Sequence, residues 1–282
     1  MQPAEYPRGS TTEPERIPHE RRENARCEVF RRWRGRSTPG RFRLVLTALF
    51  GADDRQTFGS DPGQNAPGGT NGLLIDTDPQ GNCAKMLGVR PDYRLEHVIE
   101  GEDGEPYGLP GGLELLASSP RLATVAQAHL SRPYNPQLIL SEKLERFTGR
   151  YDYAVLDTSP SYSALTVNVL FYAERVLVPI NMETLAADGL KQLVAELREM
   201  QEAGAATLGW ITPTMVDGRK GLSGDMVAAL EATFGDVVTP YIRYAARFSE
   251  LPEEGRLIYD ADPRSRGAMD YAKLTGAVLR GA

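Results

Sequence analysis

From residue 73 onward, short runs appear in which nearly every position is apolar: Leu73–Ile75, Leu113–Ala117, Tyr153–Leu156, Val176–Ile180, Leu208–Ile211 and Val237–Ile242. Short runs without alternation predict strands buried on both faces, as in a parallel sheet. Between them, helical spacing recurs over Leu138–Phe147, Ala187–Met200 and Gly224–Phe234. Strands and helices alternating in this way predict βαβ units. The expected fold is α/β, a doubly wound, mostly parallel sheet flanked by helices in three layers. No internal repeat is visible. Upstream, Leu44–Leu49 reads as one further strand, but Gly51–Gly72 is mostly polar, carries six Gly and two Pro, and has no helical period. A structureless loop of that length is unusual inside a compact domain.

Composition narrows the class. The chain has 282 residues, 41% apolar and 25% charged, enough to bury a sizeable core. No run approaches the roughly eighteen apolar residues of a membrane-spanning helix. Cys27 and Cys83 cannot build a disulfide framework or a four-thiolate zinc site. His19, His97 and His129 show no metal-ligand spacing. A reduced, cytoplasmic compartment is expected.

Charge is unevenly spread. Residues 1–43 hold eleven Arg and six Glu, a net of +5, which leaves −11 on the remainder of a chain whose total is −6. A basic arm on an acidic body suits a nucleic-acid-binding tail, and Phe30-Arg31-Arg32-Trp33-Arg34 interleaves aromatics with Arg. The arm is otherwise rich in Pro, Gly and Arg without periodicity, a composition that predicts disorder. Arg41 and Arg43 precede the apolar Leu44–Ala52, yet they lie too far along the chain for an ordinary secretory signal. Three regions result: a basic arm over 1–43, an irregular segment over 44–72 and an α/β domain over 73–282.

Two of the apolar runs end in Asp. One reads Leu74-Ile75-Asp76-Thr77-Asp78-Pro79-Gln80-Gly81-Asn82, the other Ala154-Val155-Leu156-Asp157-Thr158-Ser159-Pro160-Ser161. Ligands of open α/β sheets gather at the carboxyl ends of strands. An Asp closing a buried strand is costly unless hydrogen bonds or a cation use its charge. Magnesium on nucleotide phosphates is one such use. Singly, each Asp reads equally well as a helix N-cap; together they favour a phosphate site.

These two runs resemble the second nucleotide motif and the Walker B strand of the ParA/Soj/MinD class of deviant-Walker ATPases, and most of all the ParA/Soj partition ATPases. Leu165-Thr166-Val167-Asn168, Val176–Ile180, Ala187-Asp188-Gly189-Leu190, Thr214–Arg219, Arg247–Pro252 and Asp262–Ala268 follow in family order, so the resemblance spans residues 73–280. It implies a P-loop NTPase-like fold with ATP and Mg2+ as cofactors. Asp157 would hold magnesium through water, Asp76 would support the same ion, and Asp78 would orient or activate the attacking water. It also implies an ATP-dependent homodimer that binds DNA non-specifically, works with a ParB-like partner and associates with the nucleoid. Arg219, Lys220, Arg243, Arg247, Arg264 and Arg266 are the candidate DNA contacts.

The sequence departs from that pattern twice. The family places a Gly-rich loop with two lysines after its first strand, whereas the first lysine here is Lys85, and Gly68-Gly69-Thr70-Asn71-Gly72 runs straight into the next strand. The family's Pro-Arg-Asn of the adenine pocket is replaced by Arg243-Tyr244-Ala245, where Tyr244 is the remaining group able to stack on a base. Two origins compete: a shifted reading frame ahead of residue 73, or a degenerate member that binds partners without hydrolysing ATP. In either case ATP hydrolysis is expected to be very poor. A MinD-like membrane role needs a basic amphipathic C-terminal helix, and Tyr271–Leu279 carries only Lys273. An NAD-dependent Rossmann enzyme lacks its Gly motif, and a serine hydrolase lacks its nucleophile elbow.

Overall fold

The computed structural model describes residues 42–47, 71–130, 132–159, 163–182, 187–217, 221–246, 248, 251 and 258–281. The basic arm up to residue 41 and the segment 48–70 lie outside them. Seven strands form one sheet: β1 Phe42–Thr47, β2 Gly72–Asp76, β3 Tyr107–Gly108, β4 Leu113–Leu116, β5 Tyr153–Thr158, β6 Arg175–Asn181 and β7 Thr207–Thr214. Their spatial order is β3-β4-β2-β5-β1-β6-β7, all parallel except for the β3–β4 pair. The helices are α1 Asn82–Met86, α2 Leu95–Glu100, α3 Arg121–His129, α4 Ile139–Lys143, α5 Ala164–Tyr172, α6 Ala187–Glu202, α7 Gly221–Phe234, α8 Ile258–Ala261 and α9 Arg266–Arg280. This is the expected three-layer α/β architecture.

Continuous apolar runs make the centre of the sheet. Every residue of β2 is buried, so both its faces are covered, as its unalternating sequence predicts. Leu74 packs with Leu113, Leu115 and Ala117 of the β4 region and with Cys83 and Ala84 of α1. Val155 of β5 adjoins this cluster and a second one, in which α9 lays Ala268, Tyr271, Leu274 and Val278 against Leu177, Trp210 and Ile242. Their spacing of three and four residues is the stripe of an amphipathic helix. Ser265 starts that helix by accepting the N–H of Ala268 at 3.1 Å. Its apolar face is therefore spent on the core, which counts against a MinD-like membrane role. Among the described residues, no helix is long and apolar enough to cross a membrane.

Three expected elements differ. The first strand begins at Phe42, ahead of Leu44, and inserts between β5 and β6. Leu138–Phe147 is not one helix: a turn over Pro136–Leu138, α4 and a turn over Leu144–Phe147 follow one another, the outer two with 3-10 geometry. Buried Asn168 of α5 pins that stretch, its carbonyl accepting Leu140 N–H at 3.1 Å and its amide donating to Pro136 O and Ala164 O at 2.9 and 3.0 Å. Val237–Ile242 is not a strand. Pro240 supplies no N–H, so the segment follows β7 through the isolated bridges Ile211↔Val238 and Val216↔Arg243.

Leu115 lies at the middle of β4 with no exposed surface. Leu115→Ala should destabilise the fold by about 2–5 kcal/mol, read as a lower urea midpoint at unchanged slope.

Candidate functional site

Parallel pairing decides where the site forms. Asp76 and Asp157 are register partners on β2 and β5, Asp76 closing its strand and Asp157 standing one residue before the end of its own, so both lie at the carboxyl ends of the strands. Thr47, the last residue of β1, is level with Thr158 next door. The chain thus leaves β1 beside Asp157, and the residues that follow it, 48–70, lie outside the described region.

Asp76 is fully buried and Asp157 nearly so. The turn after β2 wraps the first carboxylate. Its Oδ1 accepts the Asp78 N–H at 3.0 Å and its Oδ2 the Cys83 N–H at 3.2 Å. Thr77 ties that turn to β5, donating its N–H at 2.8 Å and its hydroxyl at 2.6 Å to Asp157 O. Gly81 closes the turn at φ +62°, and a Cβ there would sit 2.8 Å from Ser118 O, so both backbone and space require glycine. Ser118, at the end of β4, donates its hydroxyl to Asp78 O at 2.5 Å, and its own carbonyl accepts Arg94 Nη1 at 2.9 Å.

Burial first, and then the charge of Asp157, push the Asp76 carboxyl up to about 7; the N–H groups of Asp78 and Cys83 and the Ser118 hydroxyl offset this in part. Two acids in one dry pocket cannot both ionise cheaply. The Cys83 thiol completes the cluster, donating to Asp157 Oδ2 at 3.3 Å. One ligand atom each from Asp76, Cys83 and Asp157 lie within 4.8 Å of one another. Carboxylate oxygens suit a hard divalent cation, so Asp76 and Asp157 fit magnesium. Lys85, the nearest lysine in sequence, is turned to Gln80 O at 2.6 Å and Asn82 Oδ1 at 3.4 Å.

The other sequence candidates fall in different places. Asp78 is buried on the same turn, its Oδ1 accepting Gln80 N–H at 3.0 Å. Arg243 is held by Asp270 of α9 through Nε and Nη2, each at 2.7 Å, and Asp270 also accepts its N–H at 3.2 Å. That pair fastens the segment beside β7 to α9. Tyr244, Arg264 and Arg266 are exposed. Arg219, Lys220 and Arg247 lie outside the described residues. Sequence reasoning weighed Cys83 only as a disulfide or zinc-site cysteine and passed over Ser118; each stands just past a strand or turn that the sequence does mark.

The folded state keeps a proton on Asp76 that the unfolded chain, with a carboxyl near 3.8, has released. This contribution is therefore fully present below pH 3.8 and lost as pH rises through 7. Metal-free protein should lose thermal stability across that window, and Asp76→Asn should flatten the slope. Gly81→Ala should lower stability by about 1–3 kcal/mol through strain at positive φ, measured by denaturant unfolding.

Known proteins resemble this chain in sequence and in fold. Residues 66–209 match a AAA domain family. The chain is 38% identical over 212 residues to the chromosome-partitioning ATPase Soj of Thermus thermophilus, covering 73% of this chain and 82% of that protein. It is 32% identical over 219 residues to the chromosome partitioning protein ParA of Caulobacter vibrioides, with coverages of 73% and 82%. In three dimensions it matches cobyrinic acid a,c-diamide synthase from Mycobacterium smegmatis, solved with an ATP analogue and magnesium, at a TM-score of 0.69 and 26% identity, covering 85% of this chain and 95% of that one. By its sequence and its fold, the chain belongs to the ParA/Soj family of chromosome-partitioning ATPases.

Proposed function

We propose that this chain is a partition protein of ParA type that takes Mg-ATP at the carboxyl ends of β1, β2 and β5 and hydrolyses it very slowly. The observation that carries this reading is the buried pair Asp76 and Asp157, in register on adjacent strands, with the Asp76 carboxyl pushed up to about 7 by burial and by the charge of Asp157. When bound, magnesium neutralises phosphate and carboxylate charge together. Asp157 and Asp76 would hold it, directly or through water. Asp78, fixed by Gln80 N–H and by Ser118 on its carbonyl, would orient the attacking water. The relative solved with an ATP analogue and magnesium supports the same ligands.

Slow turnover follows from charge. Phosphoryl transfer is carried by positioning and by neutralising negative charge. The first 84 residues hold no lysine, and residues 48–70 offer Arg55 as their one cation. Losing one preorganised donor typically costs about 10²–10³ in rate. ATP would promote a homodimer that binds DNA non-specifically through Arg264 and Arg266, with Arg219, Lys220 and Arg247 as further contacts and Arg243 beside them. A ParB-like partner would stimulate it, in the cytoplasm on the nucleoid. Tyr244 would stack on the base. The lysine-free start favours a second reading, a ParA scaffold that binds its partners without ATP.

Fluorescent-ATP titration of the full chain, with and without Mg2+, separates the two. Magnesium-dependent binding supports the ATPase reading, and its absence the scaffold reading. Steady-state ATPase activity with DNA and a ParB-like protein should not exceed that of an Asp78→Ala control. Turnover well above the control would mean that residues 48–70 supply a phosphate cradle.

A further inference from the structure

Cys83 has no part in the reading above, yet its side chain completes the most buried cluster of metal-ligating groups among the described residues. It is 6% exposed, sits at the start of α1 and meets Asp76 of β2 and Asp157 of β5. We propose that Cys83, Asp76 and Asp157 together form a site for a thiolate-binding divalent cation of the zinc class.

Geometry supports this. Legs of about 2.3 Å to a thiolate and about 2.0–2.2 Å to a carboxylate, meeting at a tetrahedral angle, set their ligand atoms roughly 3.5 Å apart. The observed separation of sulfur from Asp157 Oδ2 is 3.3 Å. The third ligand atom lies within 4.8 Å of both, so small side-chain shifts bring all three onto one ion. The carboxylate of Asp76 is held in place by the Asp78 and Cys83 N–H groups. Three protein ligands leave a fourth position for water, as in open zinc sites.

The choice of ion follows from the donors. Magnesium gains little from sulfur, whereas zinc and cadmium bind it strongly. Without a cation, burial and the two carboxylates keep the thiol protonated. A dication reverses that field: the S–H bond breaks, the S–metal bond forms and the proton leaves to water. The inference rests on Asp76 and Asp157 sharing a cation, and it does not need nucleotide.

The test uses the full chain with Cys27→Ser, which leaves Cys83 as its one thiol. Titrating cadmium into metal-free protein should give one tight equivalent and an ultraviolet sulfur-to-cadmium charge-transfer band. Adding Cys83→Ser should abolish the band and weaken binding by more than the ~10–100-fold that even an outer-shell change costs a metal site. Asp157→Asn should also weaken it. Cadmium bound without the band, or bound equally well after Cys83→Ser, overturns the proposal. Magnesium titrated in parallel by calorimetry separates the failures. If magnesium binds and cadmium does not use the thiol, the inference falls and the carboxylate site stands. If neither ion binds, both fall. Should Cys27→Ser fail to fold, the same comparison runs between the native chain and Cys83→Ser alone.

Discussion

Two buried carboxylates in register on neighbouring parallel strands are the constraint around which the rest of this structure is organised. An ionised Asp in such a place is expensive, and two are worse, because each raises the energy of the other's charge. The fold answers with backbone donors. The turn after β2 aims the N–H groups of Asp78 and Cys83 at Asp76, and Thr77 binds the carbonyl of Asp157. Those bonds dictate the left-handed Gly81, and its close approach to Ser118 O ties the turn to the end of β4. A proton, or a cation, completes the balance of charge.

The scaffold holds this arrangement from both sides. β2 and β5 lie inside the sheet with neighbours on each edge, so their ends cannot move independently. β1 brings the carboxyl end of a third strand alongside. Further off, Asn168 satisfies three backbone groups around α4 and α5, and Arg243 with Asp270 fastens α9. Asn168 stands in a family-like motif, yet its partners here belong to the chain itself. Each of these polar groups is a packing device as much as a candidate for function.

Membership of the ParA/Soj family and the lysine-free first 84 residues pull in opposite directions. Three carboxylates, those of Asp76, Asp78 and Asp157, are buried at one end of the sheet. Before Lys85 the sequence offers no lysine to set against them. Cys83 adds a donor that magnesium chemistry does not call for, and so gives the same pocket a different preference in ions.

The sheet was legible from the sequence because burying a strand on both faces demands a near-continuous apolar run, and β2, β4, β5, β6 and β7 each carry one. The strand-end carboxylates were legible for the same reason: a charge that closes such a run stands out. What the sequence could not supply was lateral order. Nothing in a linear pattern places β5 beside β2 rather than at an edge, and that adjacency alone sets Asp76 against Asp157. Likewise Leu44–Leu49 reads as one further strand with no place in the sheet until pairing inserts Phe42–Thr47 between β5 and β6. Val237–Ile242 looked like a strand because its residues are apolar; Pro240 and the hydrogen bonds to β7 decided otherwise. Cys83 and Ser118 stand just past marked elements, but nothing in the sequence assigns the Cys83 thiol or the Ser118 hydroxyl a partner. Their roles arise from contacts with residues tens of positions away in the chain, and only tertiary packing creates those.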